Sequence, residues 1–106
     1  MPRIAKTAGD ADVLTMLEVR LKRPKMYAVI MHNDDYTAMD FVVMVLCAVF
    51  KKSNGEAILI MQEVHNKGKC KVDMYPLDIA LTKKAQTLKL AENAGFPLLV
   101  TIEEDM

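Results

Sequence analysis

Strong charge imbalance, paired cysteines and long apolar runs are all missing from this sequence of 106 residues. Lysine plus arginine and aspartate plus glutamate number 14 each, so the zero net charge gives no global footprint for nucleic acid or an anionic membrane. The apolar runs fall short of the roughly 20 residues that a membrane-spanning helix needs. Two cysteines, Cys47 and Cys70, are too few for a disulfide framework and lack the spacing of a metal site. These absences predict a reduced, cytoplasmic protein without nucleic-acid or membrane partners.

The first 23 residues mix small, charged and apolar side chains. They show no apolar core followed by the small-residue cleavage site of a secretory signal. Apolar positions in residues 11–23 recur at helical spacing, and Pro24 would end any helix formed there. We therefore expect residues 1–23 to form a flexible arm with transient helical content, and residues 24–106 to form one domain.

Hydrophobic residues make up 52% of the chain, enough to fill the core of a single domain. Nine residues are methionines, whose flexible and polarizable side chains suit both irregular cores and adaptable binding surfaces. For any single methionine, a position in the core is the default expectation.

Three stretches have the composition of β-strands. Residues 26–31, MYAVIM, are rich in β-branched and aromatic side chains. Residues 69–75 alternate strictly, which places Cys70, Val72 and Met74 on one face and predicts a half-exposed antiparallel strand. The last predicted strand covers residues 98–102, LLVTI.

The predicted helices carry local signals at their ends. Thr37 with Asp40, and Ser53 with Glu56, form capping-box patterns before the first two helices. Gly68 is a natural C-terminal stop for the second helix. The predicted helical spans are residues 39–50, 55–67 and 76–94.

The third predicted helix has Pro76 at its first position and Gly95 just past its end. The whole order, strand–helix–helix–strand–helix–strand, predicts a compact α+β domain in which three helices cover one face of a three-stranded antiparallel sheet. The apolar stripe expected on the third helix consists of Leu77, Leu81, Ala85, Leu88 and Ala91.

A polar cluster interrupts the apolar sequence in MHNDDYTAMDF, residues 31–41. Its aspartates accept hydrogen bonds and attract cations, while Asn33 both donates and accepts. A hairpin of the first two helices would bring the face of the second helix, which bears Met61 and His65 four residues apart, near Met39. The sequence thus predicts an apolar hole with a polar rim. Its walls are Met39, Val42, Met61 and Val64, and its rim is Asn33, Asp35 and His65.

A ligand that matches this hole has a cationic head beside a bulky apolar group. The N-terminus of a peptide that begins with Leu, Phe, Tyr or Trp has both features. Its ammonium offers three donors, and neutral imidazole, an amide carbonyl and a carboxylate are suitable acceptors.

Plainer interpretations fit the same residues. Asx-rich turns before helices are common, so Asn33–Asp35 are compatible with simple turn chemistry. A histidine on a helix face, such as His65, is most often a satisfied surface or core residue. His32, Asp34, Asp35 and His65 include no ligand pair of known metal spacing, so we expect neither a metal nor another cofactor. No serine or cysteine has an evident neighbouring base, and we expect no enzymatic activity.

Three longer motifs resemble one known family. They are MYAVIMHNDDYTAMDFVV, MQEVHNKGK and AGFPLLVTIE, and the resemblance runs from about Pro24 to Glu103. The family is ClpS, the bacterial adaptor that delivers N-degron substrates to the ClpA or ClpC unfoldase of the Clp protease. The block Asn-Asp-Asp-Tyr-Thr at a strand-to-helix junction is its most specific feature.

The resemblance implies roles for individual residues. Asn33 and His65 would hold the α-amino group, Asp35 would assist through a bound water, and Asp34 belongs to the same block. Met39 would act as a gatekeeper against β-branched first residues. The implied pocket for the first side chain consists of Thr37, Met39, Val42, Met61, Val64 and Leu98.

The resemblance also implies a partner surface. The N-terminal domain of the unfoldase would dock on the third helix, around Asp78, Thr82 and Lys83, and the arm would assist delivery by engaging the unfoldase. Two departures from the family pattern are Ala38, where proline is usual, and Leu81, where an acidic residue is usual. The implied protein is a monomeric, non-enzymatic adaptor.

A function of another class stays open at this point. A protein–protein docking module of ribosomal-stalk-like architecture would use the same helical hairpin without recognising N-terminal residues. Simultaneous substitution of Asn33 and Asp35 separates the two, because only the adaptor depends on these side chains for its ligand.

Overall fold

The computed structural model describes residues 25–104, so the predicted arm lies outside the described residues. The element order is the predicted one, and it confirms the α+β fold with a three-stranded antiparallel sheet and three helices. The elements are β1 (Met26–His32), α1 (Met39–Ala48), α2 (Asn54–Lys67), β2 (Lys69–Pro76), α3 (Leu77–Ala94) and β3 (Leu99–Glu104).

The first strand lies in the centre of the sheet, whose strand order is β2-β1-β3. At its C-terminal end His32 pairs with Lys69 on one side and with Leu99 on the other. The next backbone N–H, that of Asn33, donates to the carbonyl oxygen of Gly68 at 2.9 Å. The polar segment that follows β1, which starts at Asn33, therefore begins beside the C-terminal end of α2.

The core lies between the sheet and the helices. Its largest fully buried side chains include Met31 and Val29 from β1 and Leu46 and Val45 from α1. Burial of a side chain of this size contributes about 1.5–3 kcal/mol. All four belong to one core cluster, which packs α1 together with the sheet and the other helices.

A β-bulge in β2 interrupts the side-chain alternation that the sequence predicted for that strand. Val29 pairs with Asp73 and Ile30 with Lys71, so Val72 is an extra residue in the ladder. An extra residue reverses the side-chain direction beyond it. Cys70 and Val72 are buried as predicted, but the expectation that Met74 shares their face is wrong, since Tyr75 packs against the core instead.

The third helix turns a different face to the sheet than predicted. Ala80, Thr87 and Ala91 are its buried residues, whereas Leu81 is 51% exposed. Small side chains let the helix axis approach the sheet closely, and the Thr87 hydroxyl is satisfied by donating to the Lys83 carbonyl oxygen at 2.9 Å. Of the predicted stripe only Ala91 is buried. The exposed members are Leu77, Leu81, Ala85 and Leu88.

The ends of α2 follow the predicted signals. The Ser53 hydroxyl oxygen accepts from the Glu56 N–H at 3.2 Å, and the Glu56 carboxylate accepts from the Ser53 N–H at 3.3 Å. Gly68 ends the helix with a φ of 91°, in the left-handed region that favours glycine. Helix boundaries differ from the prediction by one or two residues, since α1 ends at Ala48, α2 begins at Asn54, and Pro76 caps α3 rather than occupying its first position. The last strand spans Leu99–Glu104 rather than residues 98–102.

Candidate functional site

A cavity of about 180 Å³ opens where β1 runs into the polar segment. It is enclosed by the loop of residues 33–38 between β1 and α1, by the α1–α2 hairpin and by Leu98, which precedes β3. The ten residues predicted for the two parts of the site all line this one cavity, together with His32. They are Asn33, Asp34, Asp35, Thr37, Met39, Val42, Met61, Val64, His65 and Leu98.

Asp34 holds the loop in shape. Its carboxylate accepts from the N–H groups of Tyr36 and Thr37 at 2.8 and 2.7 Å, and from the Thr37 hydroxyl at 2.6 Å. The expectation that Thr37 caps α1 is therefore wrong. Its hydroxyl is bonded to Asp34, and the residue at the cap position is Ala38, without a side-chain capping bond.

The loop presents the remaining polar side chains outward. Asn33 and Asp35, on either side of Asp34, are both exposed. Asp34 itself is half-buried. Burial raises the pKa of its carboxyl, but the hydrogen bonds from Thr37 and from the Tyr36 and Thr37 backbone prevail and lower the pKa below its ordinary value.

Replacement of Asp34 by alanine is expected to lower the free energy of unfolding by about 1–2 kcal/mol, because three donors lose their charged acceptor. Asp34→Asn is expected to retain most of this, since one amide oxygen can still accept from both N–H groups. The lowered pKa means that the contribution is present at neutral pH and is lost as the carboxyl protonates in acid.

Urea unfolding of the three proteins measures the effect of Asp34. Asp35→Ala is the matched control, because it removes an exposed carboxylate from the same loop and is expected to change the unfolding free energy by less than about 0.5 kcal/mol. Equal destabilisation by Asp34→Ala and Asp35→Ala would contradict the conclusion that the Asp34 carboxylate stabilises the loop.

The apolar part of the cavity has a fixed floor and an adjustable edge. Val42, Val64 and Leu98 are buried, with exposed fractions of 6%, 3% and 4%, and they pack into the core. Met61 is half-buried, and Met39, the first residue of α1, is 45% exposed. The unbranched thioether side chain of Met39 at the edge can adjust to ligands of different shape. The buried floor residues limit how deeply a ligand can enter the cavity.

The polar rim comes from two separate elements. Asn33 and Asp35 belong to the loop, and His65 belongs to the last turn of α2, where it is exposed. The hydrogen bond from the Asn33 N–H to the Gly68 carbonyl ties these elements together. The arrangement offers several hydrogen-bond acceptors at the mouth of an apolar cavity, which is suited to a group that is cationic at one end and apolar at the other.

His32 is the lining residue that the site prediction missed. Its Nε2 lies 2.7 Å from the Thr101 hydroxyl oxygen, so its ring already has a partner on β3. Its place at the end of β1, directly before Asn33, was the only available signal. Within residues 25–104 no three His, Cys, Asp or Glu residues cluster in a way that could hold a metal ion.

The three residues implied in unfoldase docking do not share one exposed surface. Asp78 and Thr82 are exposed and adjacent, since the Thr82 hydroxyl donates to the Asp78 carbonyl at 2.9 Å. Lys83 is half-buried. Its ammonium donates to the carbonyl oxygen of Val49 at 2.7 Å and lies 5.9 Å from the centre of the Tyr75 ring. Lys83 thus links α3 to the end of α1.

No helix in the described part of the chain is long and apolar enough to cross a membrane.

Comparison with known proteins relates this chain to one family. A family model described as "ATP-dependent Clp protease adaptor protein ClpS" matches residues 22–101. The ClpS adapter protein of Oleidesulfovibrio alaskensis is 47% identical over 102 residues, which is 96% of each chain. That of Wolinella succinogenes is 46% identical over 96 residues, covering 91% of this chain and 94% of the relative.

A solved structure adds a likeness in three dimensions. Agrobacterium tumefaciens ClpS2 bound to L-phenylalaninamide superposes with a TM-score of 0.76 and 42% sequence identity, over 78% of this chain and 100% of that one. Fold, sequence and family model agree, and the protein belongs to the ClpS family of adaptors of the ATP-dependent Clp protease.

Proposed function

We propose that this adaptor binds polypeptides whose first residue is Leu, Phe, Tyr or Trp and delivers them to a Clp AAA+ unfoldase. The observation that carries the proposal is that one cavity combines an apolar floor with hydrogen-bond acceptors at its mouth. In the proposed complex Asn33 and His65 accept from the α-amino group. Asp35 assists through a water molecule, and Asp34 fixes the loop.

The ligand of the related structure supports this assignment. L-Phenylalaninamide, to which the Agrobacterium tumefaciens ClpS2 is bound, carries a free α-amino group and a benzyl side chain. These are the two features for which the cavity of this chain is the proposed site. The carboxamide of that molecule corresponds covalently to the peptide bond that follows the first residue of a polypeptide.

Simple energetics supports recognition of so small a group. A hydrogen bond that involves a charged partner contributes about 1.5–3 kcal/mol. Burial of a leucine or phenylalanine side chain adds about 1.5–3 kcal/mol. The free energy from two or three such bonds and one buried side chain exceeds the lower estimates of the free-energy cost of association. Because the floor is buried and the loop is held by Asp34, little further free energy is needed to order the site.

The proposal is tested by titrating a fluorescent peptide that begins with leucine, followed by anisotropy, against the same peptide beginning with aspartate. We expect saturable binding for leucine and at least about tenfold weaker binding for aspartate, whose carboxylate would enter an apolar cavity unpaired. Equal affinity for both peptides would contradict recognition of the first side chain.

The exposed edge of the cavity leads to a prediction about selectivity. Met39→Ala is expected to admit peptides that begin with valine or isoleucine, because a smaller wall leaves room beside a branched β-carbon. Competition against a labelled leucine peptide measures this, with Met44→Ala, an exposed α1 methionine outside the cavity, as the matched control. If valine and isoleucine peptides stay excluded while leucine still binds, Met39 is not the filter.

The delivery step extends the proposal to a partner. The exposed pair Asp78 and Thr82 on α3 is the proposed contact with the N-terminal domain of a ClpA- or ClpC-type unfoldase, and Leu81 lies exposed between them in sequence. Lys83 contributes by fixing α3 to the end of α1. The proposed setting is a cytoplasmic monomer, with the arm of residues 1–23 assisting transfer of the substrate.

A further inference from the structure

The methionines of this protein differ sharply in their access to solvent. Met31 is fully buried at 0% exposure, whereas Met39 and Met44 are 45% and 42% exposed. Met39 and the half-buried Met61 both line the cavity, and Met44 does not. Of the two methionines that line the cavity in the described part of the chain, Met39 is therefore the more accessible to a small solute.

An accessible thioether reacts with peroxides. The sulfur attacks one peroxide oxygen, an S–O bond forms as the O–O bond breaks, and water leaves. The sulfur is oxidised by two electrons and the peroxide is reduced. The product, methionine sulfoxide, is polar and chiral, and methionine sulfoxide reductases convert it back to the thioether with thiol as reductant.

We propose that Met39 is a site of reversible sulfoxidation by peroxide, and that the modification closes the cavity to apolar first residues. This rests on the proposed function of the cavity. The sulfoxide oxygen is a strong hydrogen-bond acceptor in the part of the wall that would contact the first side chain. A leucine or phenylalanine side chain has no donor that could pair with it. Burial of an unpaired polar group predicts affinity lower by about tenfold or more.

The position of Met39 separates loss of binding from loss of folding. It is the first residue of α1, outside the buried cluster that contains Val42 and Leu46. Oxidation there removes no core contact, so the fold remains intact. Oxidation of Met31, in the centre of the sheet, would require unfolding first.

The experiment treats the folded protein with hydrogen peroxide and maps each sulfoxide by peptide mass spectrometry. Anisotropy with a sulfur-free peptide that begins with leucine then gives the affinity before and after treatment. Met39 and Met44 are expected to oxidise well before Met31. The wild-type affinity is expected to fall about tenfold or more and to recover after incubation with methionine sulfoxide reductase and a dithiol.

Matched variants assign the effect to one sulfur. The ratio of affinities before and after treatment is compared within each variant, so any change in starting affinity cancels. Met39→Leu is expected to keep a ratio near one, whereas Met44→Leu is expected to lose affinity as the wild type does. A wild-type-sized loss in Met39→Leu would overturn the proposal, and so would an unmodified Met39 in protein whose Met44 is oxidised.

The outcomes also separate this inference from the proposed function. If the untreated protein fails to bind the leucine peptide, the proposed function is wrong. If the untreated protein binds and the protein oxidised at Met39 binds equally well, the sulfoxide does not close the cavity and only the further inference is wrong.

Discussion

Acetylation of the α-amino group is expected to abolish binding of a peptide that begins with leucine or phenylalanine. The acetyl group removes the positive charge and two of the three donors, and it offers the proposed acceptors on Asn33 and His65 no donor in their place. Loss of two charge-assisted hydrogen bonds predicts affinity lower by about 100-fold or more. Isothermal titration of the free and acetylated forms of one peptide measures the difference.

A second peptide controls for the acetyl group itself. The same sequence acetylated on an internal lysine, with a free α-amino group, is expected to bind as tightly as the unmodified peptide. Equal affinities of the free and N-terminally acetylated peptides would contradict recognition of the ammonium. The cavity would then be an apolar pocket without a role for its polar rim.

Simultaneous replacement of Asn33 and Asp35 by alanine is expected to reduce affinity for the leucine peptide by about 100-fold. One substitution removes the proposed direct acceptor and the other removes the carboxylate that would act through water. Both side chains are exposed, so the free energy of unfolding is expected to change by less than about 1 kcal/mol. Titration together with urea unfolding distinguishes lost recognition from lost stability.

The matched control for this double variant is Glu92→Ala with Asn93→Ala, which removes one carboxylate and one amide from exposed positions near the end of α3. We expect this protein to bind the peptide like the wild type. Unchanged binding in the Asn33 and Asp35 variant would contradict the adaptor site and favour the alternative, a docking module that does not recognise N-terminal residues.

Local signals predicted much of this fold because they depend on neighbours in sequence. The capping box of Ser53 and Glu56 and the left-handed stop at Gly68 require only a few adjacent residues, and both are present. The order of strands and helices followed from periodicity in the same way. Thr37 does not cap α1, because its hydroxyl donates instead to an equally local acceptor, the Asp34 carboxylate.

The errors concern choices that depend on distant parts of the chain. The bulge at Val72 exists only in the pairing of β2 with β1, which alternation within one strand does not report. The buried face of α3 depends on its packing against the sheet, which buries Ala80 and Thr87 and leaves the larger Leu81 exposed. Hydrophobicity alone predicted a face that shares only Ala91 with the buried one.

The candidate site was predictable to a greater extent than the packing of α3. The hairpin places Met61 and His65 beside Met39 through helical spacing alone, and the resemblance to ClpS supplied Leu98, which lies far away in sequence. The half-buried position of Lys83 was not foreseeable, because its partner, the carbonyl oxygen of Val49, is 34 residues away.

The bond between the Asn33 N–H and the Gly68 carbonyl has a consequence for redesign of this protein. Only main-chain atoms take part, so the separation between the loop and the end of α2 is independent of which side chains stand at positions 33, 35 and 65. The side chains at these three positions can thus be replaced while the backbone geometry of the rim is retained. A rim rebuilt with cationic side chains at those positions would present donors in place of acceptors, at the mouth of an unchanged apolar floor.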